Sequence, residues 1–125
     1  MSVWTFLDFI EPSGHCPFGE WQSSLPTEAQ AAIDARILQM AGLLRWSEKW
    51  IKKYKTSEKI FELRIPFNKV QYRPLGTYAP NRRFILLEGA IEKGGKISKG
   101  ALKRAERRQQ LLEREPQHVR EHRIN

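Results

Sequence analysis

The chain has little of what secreted proteins, membrane proteins and metal-dependent nucleases require. Cys16 is its only cysteine, so an intrachain disulfide is excluded, as is typical of proteins from a reducing compartment. Its only aspartates, Asp8 and Asp34, do not form the carboxylate cluster of a two-metal nuclease. No apolar run approaches the roughly 18 residues of a membrane span, and the first residues lack the basic start of a secretory signal. We therefore expect a cytoplasmic protein without a membrane partner.

Familiar catalytic motifs are absent as well. The sequence contains no phosphate-binding loop, dinucleotide fingerprint, zinc-protease helix motif or nucleophile elbow. His118 and His122 are four residues apart and could meet one metal ion on a helix, but no second pair of ligands accompanies them. We therefore interpret them as solvated histidines, and we expect no metal and no cofactor.

Positive charge is plentiful and unevenly distributed. The chain has 22 Lys and Arg against 14 Asp and Glu. Residues 1–44 hold one cation and five acids, whereas residues 45–125 hold 21 cations and nine acids. Segregated cations with a pI near 9.9 indicate a polyanionic partner, nucleic acid before membrane phospholipid. The alternative is that these cations only solubilise an ordinary surface.

The first half predicts one strand and two helices. "VWTFLDFI" is rich in aromatic and branched residues and predicts a strand. Residues 25–44 predict an amphipathic helix, with Thr27 and Gln30 as a capping box. A second helix is predicted from Ser47, because its aromatic and apolar residues share one helical face. They are Trp46, Trp50, Ile51 and Tyr54.

The second half predicts three strands and a basic helix. "IFELRI" and "VQYRPL" alternate apolar and polar residues, so Arg64 and Arg73 should share an exposed face. "RRFILLEGAI" is apolar at its centre, as a strand covered on both faces would be, and Gly89 marks a possible bulge. Ser98 is expected to cap the last helix, which Pro116 closes. 

These elements predict one domain, residues 1–115, of the α+β class. It should have a small twisted, mainly antiparallel sheet of about four strands, with two N-terminal helices packed on it and a C-terminal basic helix. Residues 116–125 are too polar to pack alone and are expected to form a loose tail.

RNA cleavage is a reaction that such a basic surface can catalyse without metal or histidine. The RNA 2′-hydroxyl is the nucleophile, so the protein supplies a base, an acid and positive charge around the phosphorane. Lys93 and Lys96 are candidates for the base if they approach Arg73, because neighbouring cations lower the pKa of a lysine. The competing interpretation is that these cations only bind phosphate.

Several motifs in this order resemble the RelE/HigB superfamily of toxins from type II toxin-antitoxin modules, close to its phage-derived HigB-like branch. They are "EWQSSLPTEAQAAI", "IFELRI", "YRPLG", "RRFILLEGAIEKGGK" and "ALKRAERR". The resemblance implies a RelE-like fold and a growth-inhibiting, ribosome-dependent mRNA endoribonuclease that needs no metal. It also implies ribosome and mRNA as partners, together with a cognate antitoxin, expected to be a small helix-turn-helix protein.

The resemblance also implies roles for individual residues. Arg73 matches the phosphate-stabilising arginine of the family, Arg64 a strand arginine near the RNA, and Lys93 a basic residue after the last strand. Lys96 matches a basic position that follows. Glu62 and Glu92 depart from relatives that have lysine there. The further residues expected to contact RNA are Arg82, Arg83, Lys69, Tyr72, Tyr78, Lys99 and Lys103.

Two other functions remain open at this point. The related ParE branch resembles the same scaffold but inhibits DNA gyrase by binding, without a ribonuclease site. Alternatively, the protein is a catalytically inactive, basic nucleic-acid-binding module, in which the cations bind phosphates without turnover.

Overall fold

The computed structural model describes residues 2–124, in which three helices and seven strands are found. The helices are α1 (Pro17–Ser23), α2 (Thr27–Ala41) and α3 (Lys99–Arg114). The strands are β1 (Thr5–Phe9), β2 (Ile51–Lys53), β3 (Phe61–Leu63), β4 (Ile65–Phe67), β5 (Val70–Ala79), β6 (Arg83–Glu92) and β7 (Val119–Glu121). The predicted α+β class is therefore confirmed, with seven strands instead of about four.

All seven strands belong to one sheet in the order β2-β3-β5-β6-β1-β7, with β4 also paired to β5. β1 pairs with β6 in parallel, and the other pairings are antiparallel. The strands β2, β3, β4 and β7 have three residues each. β3 lies within the predicted strand "IFELRI", whereas β2, β4 and β7 hold too few residues for alternation to reveal them.

The sheet lies between α1 and α2 on one face and α3 on the other. β6 supplies both cores, since Phe84 and Leu86 pack with α2 whereas Ile85 and Leu87 pack with α3. This confirms that "RRFILLEGAI" is a strand covered on both faces. The expected bulge lies in the predicted strand but two residues before Gly89: Leu75 pairs with Glu88 and Gly76 with Leu86, so Leu87 of β6 is the extra residue.

Gly89 makes a close contact with Trp21 that no larger residue would allow. A Cβ atom at this position would lie 1.9 Å from the indole of Trp21, so glycine allows the aromatic side chain of α1 to pack directly on the sheet. The close approach fixes α1 over β6.

The prediction of a helix that begins at Ser47 is wrong. Residues 51–53 instead form β2, an edge strand whose Lys52 lies opposite Glu62. Trp46 donates its indole N–H to the carbonyl of Met40 (2.7 Å) and packs against Phe6 and Phe84, so the aromatic residues form a tertiary cluster rather than one helical face. 

The second N-terminal helix is α1 (Pro17–Ser23), and the sequence of this segment is typical of a loop. It begins at Pro17, a residue suited to a first helical turn. The predicted capping box of α2 is also wrong: Pro26 is the N-cap, and Gln30 donates to the carbonyl of Leu25 instead (2.9 Å). The predicted cap of α3 is confirmed, since the Ser98 side chain accepts from the Ala101 N–H.

The tail is ordered, so the expectation of a loose segment is wrong for residues 119–122. β7 pairs with β1, and the His122 backbone N–H donates to Phe6. The His122 imidazole is 3% exposed and lies between Asp8 and Asp34, with Nδ1 and Nε2 at 2.8 Å and 3.0 Å from their carboxylates. Burial would lower the pKa of His122, but the hydrogen bonds that its ring donates to Asp34 and Asp8, together with the charges of these carboxylates, outweigh burial and raise the pKa to about 9. 

Across residues 2–124, none of the helices has the length and apolar content needed to span a bilayer.

Candidate nucleic-acid site

A cleft of about 470 Å³ opens on the α3 face of the sheet, between the β2–β3 edge and the turn that follows β6. We call it the basic cleft. Its lining residues are Lys52, Lys53, Tyr54, Lys55, Thr56, Glu62, Arg64, Glu92, Gly95, Lys96 and Ile97. Five of these side chains are cationic and two are acidic, so the cleft attracts anions while it holds two carboxylates.

Arg64 is the more accessible of the two predicted catalytic arginines, Arg64 and Arg73. Its backbone is fixed at both ends, because its N–H donates to Trp50 (2.7 Å) and its carbonyl accepts from Arg36 (2.9 Å). Its side chain is 33% exposed, with Nε 3.9 Å from Oε1 of Glu62. A fixed backbone with an accessible guanidinium suits phosphate binding.

Arg73 lies on the same face of the sheet as Arg64, as expected, because Ile65 and Tyr72 are register partners that both face the opposite core. It is buried, however, so the expectation of an exposed position is wrong for Arg73. Only 3% of its side chain is exposed. Nη2 lies 3.2 Å from Oε1 of Glu92, and the guanidinium also donates to the Gln71 side chain and the Tyr72 carbonyl. β5 places Arg73 beside Glu92 because Gln71 and Glu92 are register partners. Arg73 therefore lies beneath the basic cleft rather than at its surface.

Glu62 is the residue of the basic cleft with the most distinctive acid-base environment. Its side chain is 12% exposed. Burial raises the pKa of Glu62, and the charges of Arg73, Arg64 and Lys52 act in the opposite direction without cancelling the effect of burial. A carboxylate with a raised pKa beside cations is suited to accept a proton near neutral pH.

Lys93 and Lys96 are joined by a tight turn. Each backbone N–H donates to the other residue's carbonyl, at 2.8 Å and 3.1 Å, and Gly94 and Gly95 have positive φ values of 59° and 77°. Lys96 lines the basic cleft, whereas Lys93 lines a neighbouring hollow with Trp21 to which Lys96 also contributes. The turn thus brings the two lysines together, with only Lys96 in the cleft.

Other predicted residues are distributed around the molecule. Lys69 lies in the β4–β5 turn, at the same end of the sheet as Lys93. Lys99 and Lys103 are exposed on α3. Arg82 and Arg83 lie at the tip of the β5–β6 hairpin, and β6 separates them from Lys93 by about 30 Å, at 3.3 Å per residue. One phosphate therefore cannot contact both these arginines and Lys93.

The two tyrosines expected to contact RNA, Tyr72 and Tyr78, lie outside the basic cleft. Tyr72 is 5% exposed and packs edge-on against Trp21. Tyr78 is 41% exposed, but it lies near the arginine end of the hairpin among Trp4 and Trp46. Burial raises the pKa of Tyr78. The aromatic side chain of the cleft lining is Tyr54 instead.

Sequence reasoning missed Glu62, Lys52 and Tyr54 as members of the site. The alternation in "FELR" does put Glu62 and Arg64 on one face, a signal that was available. Lys52 and Tyr54 had no such signal, because they join the site only through β2, where a helix was expected.

Within residues 2–124, no group of three His, Cys, Asp or Glu side chains is placed to hold a metal ion. His118 and His122 do not converge: His118 faces Glu115, while His122 is held by Asp8 and Asp34.

A family model matches most of the chain. No curated protein matches the chain. Residues 20–110 match the family model described as "Phage derived protein Gp49-like (DUF891)". The match runs from α1 to most of α3 and so includes every residue that lines the basic cleft. Since it covers well over half of the sequence, the chain belongs to the Gp49-like family of phage-derived proteins.

Proposed function

We propose that this protein is the toxin of a type II toxin-antitoxin module and that it cleaves mRNA on the ribosome without a metal ion. One observation carries the proposal: the basic cleft combines accessible cations with a carboxylate, Glu62, whose pKa is raised by burial. A site that only binds phosphate has no need for a desolvated carboxylate among its cations. The resemblance to RelE/HigB toxins and the phage-derived family support the same function.

The chemistry requires few groups. Glu62 accepts the proton of the RNA 2′-hydroxyl, and the 2′-oxygen then forms a bond to the adjacent phosphorus. Arg64 and Lys96 stabilise the additional negative charge of the phosphorane. The bond from phosphorus to the 5′-oxygen breaks, and that oxygen takes up a proton from a cation of the cleft or from water. The products are a 2′,3′-cyclic phosphate and a 5′-hydroxyl.

Arg73 is a positioning residue in this scheme. Its guanidinium holds Glu92 and lies close enough to Glu62 to favour the charged form of that carboxylate. Without it, the two carboxylates of the cleft would lack this shared cation, and the charge of Glu92 would raise the pKa of Glu62 further. Arg73 thus keeps Glu62 able to act as a base.

The proposed partners follow from the proposed function. The toxin acts on mRNA in the cytoplasmic ribosome, and a cognate antitoxin, a small helix-turn-helix protein, keeps it inactive. Co-expression of the neighbouring open reading frame should then restore growth.

Induced expression with mapping of mRNA 5′ ends tests the proposal. The wild-type protein should stop growth and produce codon-phased cuts. Glu62→Gln should reduce cleavage by about 10²- to 10⁴-fold, the usual contribution of one acid-base group, and Arg64→Ala by about 10²- to 10³-fold, the usual contribution of one charge-stabilising donor. Lys49→Ala removes an exposed cation outside the cleft and serves as the control.

Two results would contradict the proposal. Growth arrest with a DNA-damage response and intact mRNA would favour gyrase inhibition. RNA binding without any cleavage by the folded wild-type protein would favour the inactive binding module.

A further inference from the structure

We propose that the outer face of α3 is a second RNA-binding surface, which contacts the phosphate backbone of double-helical RNA. We call it the α3 ridge, defined as Lys99, Lys103, Arg107 and Arg114. This inference deepens the proposed function and rests on it, because the ridge would hold structured RNA while the basic cleft receives the single strand.

The α3 ridge is a continuous row on one side of the helix. Its members are spaced four, four and seven residues apart, which places them on one face, and all are exposed. The opposite face, with Ala101, Ala105 and Leu112, is buried against the sheet. The row is straight and rigid, and it extends about 22 Å at 1.5 Å per residue.

The charge of the ridge is largely unneutralised. α3 contains six cations and two acids. Among residues 2–124, the ion pairs of α3 cations are made by Arg104, Arg107 and Arg108. Lys99, Lys103 and Arg114 have none there, and the Arg107 contact to Glu11 is long, at 3.8 Å, with an exposed guanidinium. Surface cations without partners are free to bind phosphates.

The residue types of α3 favour a duplex over a single strand. Proteins that hold single strands stack the bases on aromatic side chains, and the sequence of α3 contains no aromatic residue. A rigid row of Lys and Arg recognises the backbone of a helix by its charge and shape. The basic cleft differs, because it is concave and has Tyr54 in its lining.

The two surfaces adjoin. Lys96 lines the cleft, and Lys99 begins α3 three residues later. RNA that emerges from a duplex on the ridge can therefore enter the cleft as a single strand.

Binding to a plain RNA hairpin, followed by fluorescence anisotropy between 50 and 200 mM salt, tests the inference. The variant Lys103→Ala with Arg114→Ala removes two cations without leaving a carboxylate unpaired. Each lost contact should lower duplex affinity on the order of tenfold near 0.1 M salt and reduce the salt slope by about 0.9. The variant Arg45→Ala with Lys49→Ala removes the same charge from an exposed segment between α2 and β2 and should change both quantities little.

Three outcomes would overturn the inference: no duplex binding by the wild-type protein, an equal loss in both double variants, or equally tight binding to duplex DNA. The test is separable from that of the proposed function. Glu62→Gln should lose mRNA cleavage but keep duplex binding, so either property can fail while the other remains.

Discussion

His122 should determine how the stability of the fold depends on alkaline pH. Its imidazole joins β7 to β1 through Asp8 and to α2 through Asp34, and it is 3% exposed. With both ring nitrogens donating to carboxylates, the folded protein holds the imidazolium form, so the pKa rises from the ordinary 6.5 to about 9. The folded state therefore binds a proton more tightly than the unfolded chain does.

The magnitude follows from this difference in pKa. A pKa of about 9 against 6.5 corresponds to about 3 kcal/mol of folding free energy. Because the folded pKa is the higher one, this contribution is fully present below pH 6.5 and is lost as the pH rises through 9. Between these values the loss should be about 1.4 kcal/mol per pH unit.

Denaturant unfolding from pH 6 to pH 10 measures the effect, with His122→Gln as the comparison. Glutamine keeps a hydrogen-bond donor but cannot carry the proton. The variant should be about 3 kcal/mol less stable than wild type at pH 6, and the two curves should converge above pH 9. His15→Gln, at an exposed histidine beside Glu20, should run parallel to wild type. A constant difference between wild type and His122→Gln across the whole range would refute the reasoning.

Three further predictions concern the free energy of unfolding, measured in the same way. Gly89→Ala should destabilise the fold by about 1–3 kcal/mol or more, because its Cβ would overlap Trp21. Arg82→Gly should stabilise it by about 0.5–1 kcal/mol, since Arg82 has a φ of 55° that costs an L-residue about 1–2 kcal/mol and glycine much less. Arg73→Ala should cost about 3 kcal/mol, because it leaves Glu92 without its buried partner.

Two of these predictions have a matched control. Gly42→Ala should be tolerated, since its Cβ would meet nothing closer than 3.7 Å. Arg64→Ala should cost less than about 1 kcal/mol, because its guanidinium is accessible and its nearest carboxylate lies at 3.9 Å. Equal losses for Arg73→Ala and Arg64→Ala would contradict the buried role of Arg73, and a destabilised Arg82→Gly would contradict backbone strain in the hairpin.

The elements that could be predicted from sequence are those whose pattern is long and local. The apolar centre of β6 and the helical spacing of α2 extend over ten and 15 residues, and both elements lie where the sequence predicted them. Ser98 also caps α3 as expected, because capping depends on residues three positions apart.

The errors occurred where distant contacts override local preference. Trp46 and Trp50 are four residues apart, which resembles a helical face, but they pack against β1 and Arg36 instead. The tail looked too polar to fold, yet His122 finds two carboxylates 114 and 88 residues away in the sequence. No local signal reports such partners.

The candidate site was predictable only in part for the same reason. Arg64 and Lys96 were identified, and the cleft does bring them together. Arg73 was expected at the surface, because alternation assigns a residue to a face but cannot tell whether a helix or a carboxylate covers that face. The contribution of Glu62 depends on its burial, which sequence alone does not report.

Cleavage of mRNA bound to purified ribosomes tests the central claim most directly, with an mRNA whose cut site is mapped and a copy that has a 2′-deoxynucleotide at that site. The account expects the wild-type protein to cut the unmodified mRNA and leave a downstream 5′-hydroxyl, to spare the deoxy copy, and to lose activity in Glu62→Gln. Cutting of the deoxy copy, or full activity of Glu62→Gln, would contradict it.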